Sequence, residues 1–328
     1  MLLSNKDSFV IFRLPNSKDL YLIKGTWTQT KESSSTFILS EFKKNKTFFL
    51  SGKKENLTTD PVITTDCNLV SPIISSKKTY LETAQKFIEL CSTKKVDKII
   101  LSRVIKETNP TNNIYSIFKD LCNKYNHSFN YVLNHPSLGM WMGASPEELI
   151  TGNSKYFYST TALAGSKKWA KKINWSYKEI EEQRYVKQFI EKKLLKLTNE
   201  VSCDSDLKTV KAGNVAHLKS TFKFKTNKSI INFVNELHPT PAISGFPVKK
   251  AIENIFKYEQ HSRGLYCGYL GEISNETINL FVNLRCMKIN KTNLFIYVGG
   301  GITNLSVAND EWEETQIKSQ TLLSIVKK

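Results

Sequence analysis

The chain has 328 residues, 40% of them hydrophobic and 23% charged. That leaves room for one large domain or two ordinary ones with a sizeable core, and it excludes wholesale disorder and a fibrous fold. Lys and Arg number 47 against 30 Asp and Glu, a net charge of +17. The lysines are spread along the chain. The densest group, Lys167, Lys168, Lys171 and Lys172, has only Trp169 as an aromatic neighbour, too little for a base-stacking groove, so no nucleic-acid partner is expected.

In chain order, residues 1–75 read as short strands and polar loops (SFVIFRL, TFFLSG). The opening MLLSNKDSFVIFRLPNSKD carries charges where a signal peptide needs an apolar centre. No run approaches the ~18 apolar residues of a membrane span. A soluble, cytoplasmic protein with no membrane partner is the expectation. Thr79 with Glu82 fits a capping box, and Ala84, Phe87, Ile88 and Cys91 follow at helical spacing. KIILSRVI, 98–105, predicts a central strand, apolar on both faces. A helix over 112–125 carries Ile114, Ile117, Phe118 and Leu121, and the strand-like runs FNYVLN, GMWMGA and KYFYSTTAL follow. Ser176 and Glu179 open a long helix to about Thr198. A helix over 247–257 has Pro247 in its first turn. Strands fit 264–270, 277–286 and 293–298, and a last helix fits 310–326. Strand runs with occasional helices and no βαβ rhythm predict an α+β fold with largely antiparallel sheets. None of the six cysteines (Cys67, Cys91, Cys122, Cys203, Cys267, Cys286) forms a C-x-x-C pair, and the five histidines lack zinc spacing, so buried or idle thiols in a reducing compartment are expected.

Several groups carry potential chemistry. Glu179 and Glu182 share a helix face, as do Glu311 and Glu314, with Lys318 one turn on. Two such helices can share one hard divalent ion, or be two solvated faces. Alternation along 277–286 puts Asn279, Phe281, Asn283 and Arg285 on one side, where Arg285 either forks onto a carboxylate or reaches water at a sheet edge. Gly299, Gly300 and Gly301 read as a tight turn or as backbone that lets a ligand approach. They fit no Rossmann or Walker pattern. Lys98 heads an apolar strand, where desolvation would lower its pKa from ~10.4 and suit it to act as a base, or where it snorkels to water. The proline-stiffened loop HPTPAISGFP, with His238 at its start, is either a pocket wall or a rigid turn.

Taken in order, these segments resemble the chorismate-utilising enzymes, the family of isochorismate, salicylate, anthranilate and aminodeoxychorismate synthases. The matching blocks are DKIILSR (97–103), GASPEELI (143–150), TALAGSKK (161–168), KEIEEQRYV (178–186), HLKSTF (217–222), ELHPTPAISGFP (236–247), RGLYCGYLG (263–271), NLRC (283–286) and YVGGGIT…EWEETQIK (297–318). They run over about three quarters of the chain. The resemblance implies an anthranilate-synthase-component-I-like α+β fold, with two layered, largely antiparallel sheets and helices packed outside. Residues 76–328 would form the chorismate-binding core and 1–75 a divergent N-terminal part of the same fold.

The resemblance also assigns roles. Lys98 matches the base that activates water in the isochorismate and salicylate synthases, where anthranilate synthases carry glutamine. Ala164 stands where aminodeoxychorismate synthases carry a nucleophilic lysine. Glu147 matches the general acid that protonates the departing C4 hydroxyl. Glu182 and Glu314 match the Mg²⁺ ligands, with Glu179 and Glu311 as an outer shell. Arg285 and Lys318 match contacts to the substrate carboxylates, and Gly165 and Gly299 backbone contacts to substrate; His238 is counted with the substrate-binding residues on the strength of its stiff loop. Gln183 replaces the family's usual histidine beside the metal ligand, and Ser220 a usual threonine. The implied activity is a Mg²⁺-dependent isochorismate synthase, a monomeric isomerase acting on chorismate. Salicylate synthase is the nearest alternative; a basic nucleic-acid-binding protein and an inactive binding module are remoter ones. Menaquinone and catechol-siderophore supply are both open as destinations of the product.

Overall fold

The computed structural model describes residues 1–43, 46–66, 70–153, 157–198, 200–203, 207–212, 215–274 and 277–327. Cys67, and Lys155 and Tyr156 at the start of KYFYSTTAL, lie outside them. The N-terminal part supplies β1 (Leu2–Ser4), β2 (Phe9–Arg13), β3 (Tyr21–Thr28), β4 (Ser35–Ser40), β5 (Thr47–Asn56) and β6 (Val62–Thr64). Then come α1 (Lys77–Ser92), β7 (Lys98–Thr108), α2 (Ile114–Lys124), β8 (Phe129–His135), β9 (Gly139–Ser145), β10 (Glu148–Asn153), β11 (Phe157–Lys168) and α3 (Tyr177–Leu197). The remainder is β12 (Val201–Cys203), β13 (Lys208–Ala212), β14 (Val215–Lys225), α4 (Ile230–Leu237), β15 (Gly245–Phe246), α5 (Val248–Tyr258), β16 (Tyr269–Ile273), β17 (Thr277–Val282), β18 (Cys286–Ile289), β19 (Asn293–Ile302) and α6 (Ala308–Val326).

Apart from the short parallel pair β1–β6, the strands pair antiparallel in one sheet, a continuous path with β12 and β13 both paired on the far side of β14. It runs β14–β11–β10–β17–β16–β4–β5–β3–β2–β8–β9–β18–β19–β7–β15. Strands from the first 75 residues therefore sit in the middle of the sheet. On this path β17 and β8 are six pairings apart, ~29 Å if the sheet were flat. Yet the rings of Phe281 on β17 and Phe129 on β8 stack at 4.5 Å. The sheet has curled over on itself into two layers, and the space between is filled by Phe12, Phe37, Phe129, Tyr131 and Phe281. A second core, under α2 and the end of α6, gathers Phe118, Leu121, Met142, Ile296 and Leu322. Cys91, Cys122, Cys267 and Cys286 are buried thiols.

Four local expectations change. The N-cap of α1 is Ser76, whose hydroxyl accepts from the Thr79 amide at 3.1 Å, so Thr79 lies inside the helix and Glu82 closes no box. Residues 264–267 are turn, because Tyr266 N bonds Arg263 O and Gly268 N bonds Leu265 O, and the strand begins at Tyr269. The strand from Thr277 stops at Val282: Leu284 N folds back onto Val282 O, the Asn283 side chain is held by Leu265 O and the Tyr131 hydroxyl, and Arg285 takes φ +49°. The glycine run is not a turn. It continues β19, where Gly301 pairs opposite Ile100 and Gly299 opposite Ser102.

Candidate active site

The site is built on β7 and β19 and closed by α3 and α6. Lys98 opens β7, is 2% exposed, and donates to Glu182 Oε2 at 3.1 Å. Glycines on β19 make this possible. A Cβ on Gly301 would lie 2.7 Å from Lys98 Cε and 3.5 Å from Glu182 Oε2. One on Gly300 would lie 3.3 Å from Glu311 Oε2 and 3.6 Å from Glu314 Oε1. The strand is bare so that charged side chains from two helices can lie against it.

Those helices start where local chemistry sets them. Glu179 reaches back to the Ser176 amide at 2.8 Å, closing a capping box at the head of α3. Asp310 and Glu311 fall in the first turn of α6, where the helix dipole favours negative charge. Glu311 is 2% exposed; its Oε1 accepts from Lys178 at 2.7 Å and Ser306 at 2.6 Å, while its Oε2 is buried without a partner. Burial pushes this carboxyl up, against Lys178, and the like charge of Glu314 adds to the rise. Burial also acts to raise Glu314, but the Lys318 ammonium bonded to it, with Lys178 and Lys98 beyond, holds it below the usual carboxylate range. Lys318 in turn donates to Gly299 O at 3.1 Å.

Across the cleft stands Glu147, 5% exposed. Burial pushes its carboxyl up to about 8, although Lys98 and Arg285 pull the other way. It therefore holds its proton well above the usual carboxylate range. Arg285 enters the same cleft because its positive φ turns it off the sheet. Gly165, at φ +68°, brings backbone to the wall where a Cβ would lie 3.0 Å from that of Glu179. Its carbonyl accepts from His217 Nδ1 at 3.0 Å, which fixes that nitrogen as the protonated one. Burial, then the Arg285 charge, push His217 down to about 3, so the ring is neutral.

The structure thus gathers Lys98, Glu147, Glu182 and Glu314 with Gly165, Arg285, Gly299 and Lys318 around one cleft of about 690 Å³, with Ala164 in its wall. Two expected residues are elsewhere. The Glu179 carboxylate is committed to its cap and to Lys167 at 3.3 Å, so it does not join Glu311 around the acidic cluster. His238 packs edge-on against Tyr269 at 5.1 Å, and its loop lends Ala242 and Ile243 to the cleft instead. Sequence reasoning missed His217, Tyr266 and Lys178. His217 had a legible signal: on β14 the core-facing positions are Ala216, Leu218, Ser220, Phe222 and Phe224, which leaves a buried histidine on the opposite, lysine-bearing face. Gln183, in the family's histidine position, ties α3 to β11 by donating to Ala162 O at 2.9 Å.

Among the described residues no group of three His, Cys, Asp or Glu side chains forms a metal cage. What the cluster offers is two carboxylates lining the cleft, Glu182 and Glu314, and the orphaned oxygen of Glu311 close behind. That donor set suits an ion that takes one or two carboxylates and completes its shell with water and substrate oxygens.

The fold is that of the chorismate binding enzymes. The structure superposes on that of MenF, the menaquinone-specific isochorismate synthase of Escherichia coli, with a TM-score of 0.84, 18% identity and coverage of 98% of this chain and 88% of that one. Anthranilate synthase component I of Streptococcus pneumoniae gives 0.71 at 16% identity, covering 96% and 89%. In sequence the chain is 28% identical over 266 residues to the isochorismate synthase EntC of Escherichia coli K12, covering 77% of this chain and 68% of the relative. The family model for chorismate binding enzymes matches residues 11–327, and the protein belongs to that family.

Proposed function

We propose that the protein is an isochorismate synthase, converting chorismate to isochorismate with a bound Mg²⁺. The observation that carries this reading is a buried carboxyl held protonated to about pH 8, Glu147, lining one cleft with the amine of Lys98. The isochorismate synthases among its relatives support it. Arg285 and Lys318 supply cations for the two substrate carboxylates and hold the ring between acid and base. Lys98, once its own proton has left, takes the proton of a water that attacks ring carbon C2. Glu147 gives its proton to the C4 oxygen, which leaves as water, and the ring double bonds shift between. Each of these two groups is worth ~10²–10⁴-fold. Glu182 and Glu314 would hold the ion. When bound it supplies charge neutralisation and orientation at the ring carboxylate. Ala164 leaves the wall without the lysine that an amine-transferring relative would place there.

The test is chromatography of purified protein incubated with chorismate and Mg²⁺, with and without ammonium. Isochorismate as the product supports the reading. Salicylate formed without a partner lyase would reassign the protein to the salicylate synthases, and anthranilate formed with ammonium would remove Lys98 from the role given it.

A further inference from the structure

Three lysines neutralise the acidic cluster, and they are not equivalent. Lys98 pairs with Glu182 and Lys318 with Glu314; both line the substrate cleft. Lys178, the second residue of α3, pairs with Glu311 from α6 and does not line that cleft. Its side chain is 24% exposed, against 3% for Lys98 and 11% for Lys318. The exposed side opens on a second cleft, behind the first, lined by Asp97, Tyr177, Glu181 and Asn304 and sharing Glu182 with the first. Burial acts against the Lys178 charge, but Glu311, to which it is bonded, outweighs it foremost, with the charges of Glu182 and Glu314 adding to the pull. It satisfies only Oε1 of Glu311 and leaves Oε2 buried and bare.

We propose that Lys178 is a resident counter-cation of the acidic cluster, which holds Glu311, Glu182 and Glu314 together while no divalent ion is bound and swings into the rear cleft toward Asp97 when one binds. The inference rests on the Mg²⁺ reading above. Three carboxylates gathered without a cation repel one another, and a tethered ammonium offsets this at the cost of competing with the metal. Lys98 and Lys318 face the substrate side, while Lys178 has open space and an acidic partner to retire to.

The experiment measures Mg²⁺ binding by calorimetry, without substrate, and thermal melting in chelator for wild type, Lys178→Gln and Lys178→Arg. The Gln variant is expected to bind Mg²⁺ more tightly, on the order of tenfold, yet to melt at a lower temperature in chelator. The Arg variant, which keeps the charge, is expected to stay near wild type in both. A merely structural lysine would lower stability without tightening metal binding. Equal or weaker Mg²⁺ affinity in the Gln variant overturns the proposal and leaves the metal site standing. Absence of Mg²⁺ binding in wild type overturns the metal reading and the proposal with it. Should the Gln variant not fold in chelator, its folding on addition of Mg²⁺ supports the proposal, and failure to fold with Mg²⁺ overturns it.

Discussion

Two buried ionic clusters flank the same strand, β7, and they differ in how completely their carboxylates are satisfied. At Ser102 the carboxylate of Glu259 accepts from the Ser102 amide at 2.7 Å and hydroxyl at 3.0 Å, and from Arg263 at 2.9 and 2.7 Å. Arg263 gives two further donors to Ile243 O and Ile100 O, both at 2.8 Å. Four residues earlier, at Lys98, the cluster of Glu182, Glu311 and Glu314 keeps a bare buried oxygen, cations that lean on it from three elements, and an open cleft. A buried charge is tolerated when it is well supplied with hydrogen bonds, and a carboxylate held as Glu259 is ties a loop to a sheet. A cluster that stays unfilled needs a partner from outside. The first is architecture; the second is where we propose that a cation binds.

The contrast can be broken at either end. The largest effect is expected in the open cleft: Glu147→Gln should lower turnover of chorismate by ~10²–10⁴-fold while circular dichroism stays near wild type. A near-normal rate would remove Glu147 from the chemistry. At the closed cluster the order reverses. Glu259→Ala strands the Arg263 guanidinium and should cost ~3–5 kcal/mol of stability, read by denaturant unfolding. A loss under about 1 kcal/mol would show that the network is not the staple described.

The pH dependence sharpens the comparison. Glu147 is raised from 4.5 to about 8 by burial. Between those values the folded protein keeps a proton that the unfolded chain has released. Its contribution to stability is therefore complete below pH 4.5 and lost as pH rises toward about 8. Glu147→Gln should flatten that part of the stability profile, and in wild type the rate should fall as pH climbs past about 8. An unchanged stability slope in the variant would contradict the burial argument. The smallest effect is expected for Gly300→Ala. Its Cβ, 3.3 Å from Glu311 Oε2, presses on the cluster and should weaken Mg²⁺ binding severalfold with little change in melting temperature. Unchanged affinity would mean that the bare strand has no part in shaping the site.

Much of this was legible because it is local. The Ser176–Glu179 box, the apolar β7 and the Glu pairs on α3 and α6 follow from spacing within one element. What was hidden depends on segments far apart in sequence. The run from Thr277 looks like ten residues of strand, but Tyr131 and Leu265 capture Asn283 and end it early, and only then does Arg285 turn into the cleft. The three glycines look like a turn because the acidic side chains they make room for arrive from other helices. Lys178 reads as a surface helix residue until Glu311, 133 positions away, comes within 2.7 Å. Glu179 misled for the opposite reason: its i+3 relation to Glu182 is real, but the helix N-terminus claims its carboxylate first.

The most direct measurement is anomalous diffraction from crystals soaked in Mn²⁺, an ion of similar ligand preference to Mg²⁺. One peak in contact with Glu182 and Glu314, with none at Glu259, is the predicted result. No peak between those two carboxylates, or a peak only elsewhere, would contradict the claim that the unsatisfied cluster on β7 is built for a divalent cation.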